Sequence, residues 1–197
     1  MFGNRFALSL VGIKCLLFIN ISTEGCAQIQ NKAIFSPDTS VSGICLRNPQ
    51  SVMNVIDSNL TFLERTEFEF PVECYRNSND SSVLRMFFYY GDLENQVSLF
   101  EVSNCDLLPF NSTMQRIGIN NFVTDSGIML GISKQHLVEI KGLPIATESV
   151  DGLSVFHYEI SEPQSGFLER YQMPSYFADY YLSNDRVVKF IFGFGYP

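Results

Sequence analysis

Two stretches of this chain read alike, and their recurrence constrains the fold more than any other feature. "GICLRNPQSVMNVIDSNL" runs from Gly43 to Leu60, and "GIMLGISKQHLVEIKGLP" runs from Gly127 to Pro144. Aligned on the first glycine, Gly43/Gly127, Ile44/Ile128 and Leu46/Leu130 are identical, and Met53/Leu137 and Ile56/Ile140 are apolar in both. Each stretch encodes a short helix. In the first, Asn48 is a capping residue, Pro49 suits the first helical position, and Val52, Met53, Val55 and Ile56 follow at helical spacing. In the second, Ser133 caps, Leu137, Val138 and Ile140 form the apolar stripe, and Lys141, Gly142 and Pro144 end the helix.

Strand-like runs rich in Phe and Tyr follow each stretch. After the first come "FLERTEFEF", "VLRMFFYY" and "QVSLFEVS"; after the second come "SVFHYEI", "YFADYYLS" and "RVVKFIFGF". Asp151-Gly152 and Asn184-Asp185 carry the residues of tight turns. The expectation is an α+β chain of two tandem repeats, residues 43–105 and 123–197, each a short helix packed on an antiparallel meander. Residues 28–42 read as a leader and 106–122, with Pro109 and Gly118, as a linker. Two such units cover each other's apolar surface, the usual logic of a duplicated element. A chain of 197 residues with 46% apolar content suffices for one or two domains.

The first 27 residues have the pattern of a secretory signal: a basic Arg5, an apolar run from Phe6 to Ile21 interrupted by Lys14, and Gly25 and Ala27 at a small-x-small cleavage site. Lys14 in the middle of that run argues against a stable membrane span. Cleavage after Ala27 leaves Gln28 first. Cys26 offers the alternative of a lipidated lipoprotein N-terminus, although Thr23 and Glu24 suit that signal poorly; membrane contact is expected only in that form. Loss of residues 1–27 removes Arg5, Lys14 and Glu24 and moves the formal charge from −8 to −9. So acidic a protein repels phosphate backbones, which argues against nucleic acid as a partner. Cys45, Cys74 and Cys105 then remain. Three is an odd number; Cys74–Cys105 is the candidate bridge, and buried thiols are the alternative, because an intervening meander strand would hold those two strands about 9.6 Å apart. Nothing has the spacing of a zinc site.

The second stretch and its strands also resemble a known family. "SGIMLGISKQHLVEIKGLP", then "VFHYEI" and "YYLSNDRVVKFIFG", is similar to the SmpA/OmlA (BamE-like) and β-lactamase inhibitor protein-like repeats of bacterial envelope proteins. Gly131, Ile132, Ser133, Lys134, Gly142 and Pro144 fill the family's places; the first copy departs from it, with Arg47 and Ser58 where glycines are usual. The resemblance implies binding rather than chemistry: an envelope-assembly lipoprotein or an inhibitor of secreted enzymes.

Residues that could carry chemistry have plainer readings. Gly127 and Gly131 lack the Gly-Lys-Ser/Thr ending of a phosphate loop and suit turns. His136 lies on the polar side of its helix and His157 on the solvent side of a strand, with no serine in a nucleophile context. Glu67, Glu69, Glu73 and Glu101 read as a solvated strand face rather than calcium ligands. The aromatic run Tyr171 to Tyr181 is too rich for one face of one strand, and Tyr171, Tyr176, Tyr180 and Tyr181 form the candidate partner surface. The expected protein is an exported, non-enzymatic component of the bacterial envelope, periplasmic or outer-membrane associated. It needs no cofactor and binds another envelope protein through a sheet face or loop edge. The alternative is a soluble periplasmic inhibitor or ligand-binding module.

Overall fold

The computed structural model describes residues 35–56, 70–90, 96–107, 114–162 and 165–196. The signal region, Cys26, Glu67 and Glu69 lie outside them. Two small strands open the described chain, β1 (Ser40–Val41) and β2 (Ile44–Cys45), followed by helix α1 (Pro49–Val55). Strands β3 (Val72–Arg76), β4 (Ser82–Phe87), β5 (Leu99–Asn104) and β6 (Gln115–Arg116) come next. Helix α2 (Lys134–Lys141), strands β7 (Ala146–Val150) and β8 (Leu153–Ile160), helix α3 (Gly166–Tyr171), and strands β9 (Tyr176–Ser183) and β10 (Arg186–Phe194) complete the order.

The capping chemistry is local and follows the residues. Asn48 accepts a hydrogen bond from the Ser51 amide at the start of α1, and Ser133 accepts from the His136 amide at the start of α2. Gly142 leaves α2 at φ 77°, a backbone conformation that a side chain would strain. Asp151 and Gly152 both take positive φ in the β7–β8 hairpin, as do Asn184 and Asp185 in the β9–β10 hairpin. That is the twist-matching two-residue turn those residue types favour. Arg47 (φ 58°) adopts the left-handed conformation at the place where the second stretch has Gly131 (φ 86°).

Two helix-on-meander repeats are not what the chain builds. Among the described residues, eight strands form one mixed sheet in the order β6-β3-β4-β5-β10-β9-β8-β7, against three α-helices of six to eight residues. The decisive pairing is β5 with β10, from Lys189 opposite Ser103 to Gly193 opposite Leu99. It joins the strands after the first stretch to those after the second, so the two sets share one backbone ladder instead of two faces. β6 pairs parallel with β3, inside the stretch expected to be a linker, and Ile117 and Phe122 beyond it are buried. Within the described part of the expected leader, Val41 is fully buried and β1 pairs with β2.

The larger core lies on one face of this sheet, and a smaller cluster with Val72, Val83, Phe87 and Leu99 is buried on the other. Tyr75, Leu84, Phe100, Phe192, Tyr180 and Tyr158 point into the larger core from successive strands, and Val52 of α1, Leu137 of α2 and Leu168 of α3 cover them. Met53, expected in the apolar stripe of α1, instead points outward. At the centre of the core sits an ion pair. Lys141 Nζ lies 2.8 Å from Asp38 Oδ2, with both side chains 0% exposed, and Nζ also donates to the Ser36 carbonyl at 2.8 Å. Asp38 further accepts from the Ser126 amide and the Tyr180 hydroxyl, while its carbonyl accepts from Tyr176 at 2.8 Å. Burial pushes the Asp38 carboxyl up, but the charge and hydrogen bond of Lys141 outweigh it and hold the group below its ordinary range. Lys141 thus does more than complement a helix end: it ties the segment at Asp38 to α2.

Candidate functional site

The face of the sheet opposite the helices is built by the pleat of β8, β9 and β10. Tyr176, Ala178, Tyr180 and Leu182 alternate into the core, so Phe177, Asp179 and Tyr181 stand on the other side, half-buried. Beside them lie His157 and Glu159 of β8 and Lys189 and Ile191 of β10. Two charge clusters run across this face. In one, Glu101 takes Arg85 at 3.2 Å and Lys189 at 3.5 Å, and the Lys189 ammonium sits 4.9 Å from the centre of the Tyr181 ring. In the other, His157 Nδ1 lies 2.5 Å from Asp179 Oδ1 and Nε2 lies 3.8 Å from Glu159 Oε2.

This geometry sorts the expected site residues. Tyr176 and Tyr180 are core and leave the partner surface. Their hydroxyls satisfy buried oxygens of Asp38, and that of Tyr158 donates to the Gly142 carbonyl at 2.9 Å. Phenylalanine would remove a buried hydrogen-bond donor at each place, which explains tyrosine at these positions. Burial and the nearby Asp38 charge push both the Tyr176 and Tyr180 hydroxyls well above their ordinary range. Tyr171 is half-buried, with its ring against Phe167 and Phe194. Tyr181 alone of the four stands on the helix-free face. Glu73 and Glu101 are buried and do not form a solvated strip. Glu101 is held by its two cations; Glu73 has a carboxylate oxygen without a hydrogen-bond partner, and burial raises its pKa to about 7 against the weaker lowering effect of the Tyr75 hydroxyl.

The Cys74–Cys105 bridge is not formed. Strand β4 separates β3, which carries Cys74, from β5, which ends just before Cys105, and Cys45 and Cys105 are thiols. Neither glycine amide of this loop is free for a phosphate: Gly127 N–H donates to Thr124 and Gly131 N–H to Val187. His136 sits on α2, 3.3 Å from Glu139, on a different element from His157. His157 Nδ1 is held by Asp179, while Glu159 lies 3.8 Å from Nε2, beyond hydrogen-bond distance. Among the described residues no group of three side chains is arranged to hold a metal ion.

Beside this face runs the sheet's edge. β7 is the terminal strand, and Thr147 through Val150 are exposed. Leu143, Ile145 and Val150 are 81%, 48% and 43% exposed, an unusual concentration of bare apolar side chains along one short segment. The sequence reading passed over this strand, because "ATESV" has neither an apolar period nor aromatic content. A separate cleft of about 430 Å³ opens at the other end of the strands, lined by Ser81, Asn104, Asn121, Phe122, Gly131 and Arg186. No protein-family model, characterised protein or solved structure matches the chain.

Proposed function

We propose that this chain is an exported, non-enzymatic protein of the bacterial cell envelope, periplasmic or outer-membrane associated, that binds another envelope protein. Its contact surface is the β7 edge with the adjoining helix-free face at His157, Asp179 and Tyr181. The observation that carries this reading is the exposure of Val150 on the terminal strand and of Leu143 and Ile145 in the segment that leads into it. Apolar side chains grouped on a strand edge mark a place where protein is covered by protein. Export rests on the Arg5 to Ala27 pattern, and the resemblance of residues 126–144 to envelope-protein repeats points the same way. The cleft beside Arg186 favours a second reading, a periplasmic ligand-binding module, because its volume lies in the range that small ligands occupy.

The test combines cell fractionation with site-directed crosslinking. The Leu143→Ser, Ile145→Ser double variant should melt close to the parent, since both side chains are largely exposed, and should lose its crosslinked partner. Unchanged crosslinking by that variant, or a full-length chain that keeps Met1 and stays in the cytosol, refutes the proposal. Mass analysis of the mature N-terminus separates cleavage before Gln28 from lipid at Cys26.

A further inference from the structure

The β7 edge carries three features that together specify a ligand. First, in an antiparallel ladder every second residue points its N–H and C=O away from the neighbouring strand, so the outer side of Ala146–Val150 is a row of donors and acceptors. Those groups match one kind of partner, another extended backbone. Second, the register with β8 places Ala146, Glu148 and Val150 on the helix-free face, opposite His157, Val155 and Leu153, and Thr147 and Ser149 on the other. Third, Glu148 is exposed, and no ion pair or hydrogen bond holds its carboxylate among the described residues. The nearest basic groups on that face are engaged elsewhere, His157 by Asp179 and Lys189 by Glu101.

A lone charge in the middle of an edge strand is a common guard against unwanted pairing. It repels acidic strands and disfavours neutral ones. It also disfavours a second copy of this chain: a symmetric β7–β7 pair centred on this residue sets two Glu148 carboxylates against each other, within a protein of net charge −8. A basic residue opposite converts the guard into an attraction.

Resting on the binding role proposed above, we propose that β7 is a docking strand, extended into a ninth strand by a partner segment with a basic residue opposite Glu148. On the helix-free face that segment carries apolar or small residues beside Ala146 and Val150, with the basic residue between them. On the opposite face it carries small hydroxylated or β-branched residues beside Thr147 and Ser149. The pattern apolar, hydroxyl, basic, hydroxyl, apolar reads the same in both chain directions, so it describes parallel and antiparallel addition alike.

The probe is a fluorescein-labelled peptide with the core Val-Thr-Lys-Thr-Val between Gly-Ser ends, titrated against the full-length chain by fluorescence polarisation. Two N-methylated forms report the geometry, one methylated at the Val and Lys amides, the other at the two Thr amides. Strand addition uses only alternate amides, so one form should lose binding at least tenfold and the other should keep most of it. Replacing the central Lys by Glu should weaken binding to the parent about tenfold, and Glu148→Lys, an edge change that leaves the melting temperature in place, should reverse that preference. Equal binding of both N-methylated forms overturns the proposal, as does a charge preference that ignores Glu148→Lys. So does self-association of the chain through this edge. Failure of the central-Lys peptide to bind, while crosslinking still depends on Leu143 and Ile145, overturns strand addition alone. Loss of that dependence overturns the binding role itself.

Discussion

Lys141→Met isolates the contact that makes residues 35–42 part of the fold. The change keeps the side chain's apolar stem and removes only its charge and donors. Asp38 then remains 0% exposed without its cation, and the Ser36 carbonyl loses its donor. Breaking one side of such a buried pair costs about 3–5 kcal/mol. For a domain of this size each kcal/mol is about 2–4 °C, so the melting temperature should fall by roughly 6–20 °C. The pH profile makes the result specific. In the parent, the folded-state pKa of Asp38 lies below its unfolded value, so its contribution is present above about pH 4 and is lost as pH falls through the folded value. In the variant, burial dominates and raises that pKa, so the penalty grows as pH rises; the variant should be relatively more stable near about pH 5 than near pH 8. Thermal unfolding followed by circular dichroism across this range reads both effects. The double variant Asp38→Asn, Lys141→Met should cost at least about 1 kcal/mol less than the sum of the single changes. A loss of under about 1 kcal/mol for Lys141→Met refutes the reasoning, as do pH profiles that run parallel.

Two further outcomes follow from the core. Glu73 has its folded-state pKa raised to about 7, so folding favours its protonated form and its cost appears as pH rises from about 4.5 through 7. Glu73→Gln should therefore stabilise the protein by about 1–3 kcal/mol at pH 8 and leave it nearly unchanged at pH 4, measured by chemical denaturation at both values. Gly193 pairs with Leu99 across the central β5–β10 seam, and a Cβ there would meet the Ser98 carbonyl oxygen at 2.3 Å and the Leu99 Cα at 2.7 Å. Gly193→Ala should cost more than about 3 kcal/mol, because backbone rather than a movable side chain is in the way. Normal expression and melting of that variant would contradict the seam.

Much of the local structure was legible. The bounds of β9 and β10 coincide with "YFADYYLS" and "RVVKFIFGF", whose residues favour a pleated, half-buried surface. The caps at Asn48 and Ser133 and the turns at Asp151-Gly152 and Asn184-Asp185 follow from side-chain hydrogen bonding and φ preference, which act over a few residues. What could not be read was which strands would meet. Whether the β5 ladder ends at an edge or continues into β10 depends on two segments about 90 residues apart in sequence. The partner surface was misread for the same reason. Strand alternation separates Tyr176 and Tyr180 from Phe177 and Tyr181, but only the position of Asp38 shows which set needs its hydroxyls inside. β7 was illegible because its pairing comes from β8 and not from its own composition.

By itself, then, the sequence determined the helix caps, the hairpin turns, the aromatic strands, the acidic charge and the twice-used glycine motif, because each depends on near neighbours or on composition. The tertiary structure alone decided that the strands fuse into one sheet, that Lys141 and Asp38 pair beneath it, and that Glu148 stands on an open edge. Backbone hydrogen bonds and buried charges find their partners across the chain, and a partner far away in sequence leaves no mark on the residues beside it.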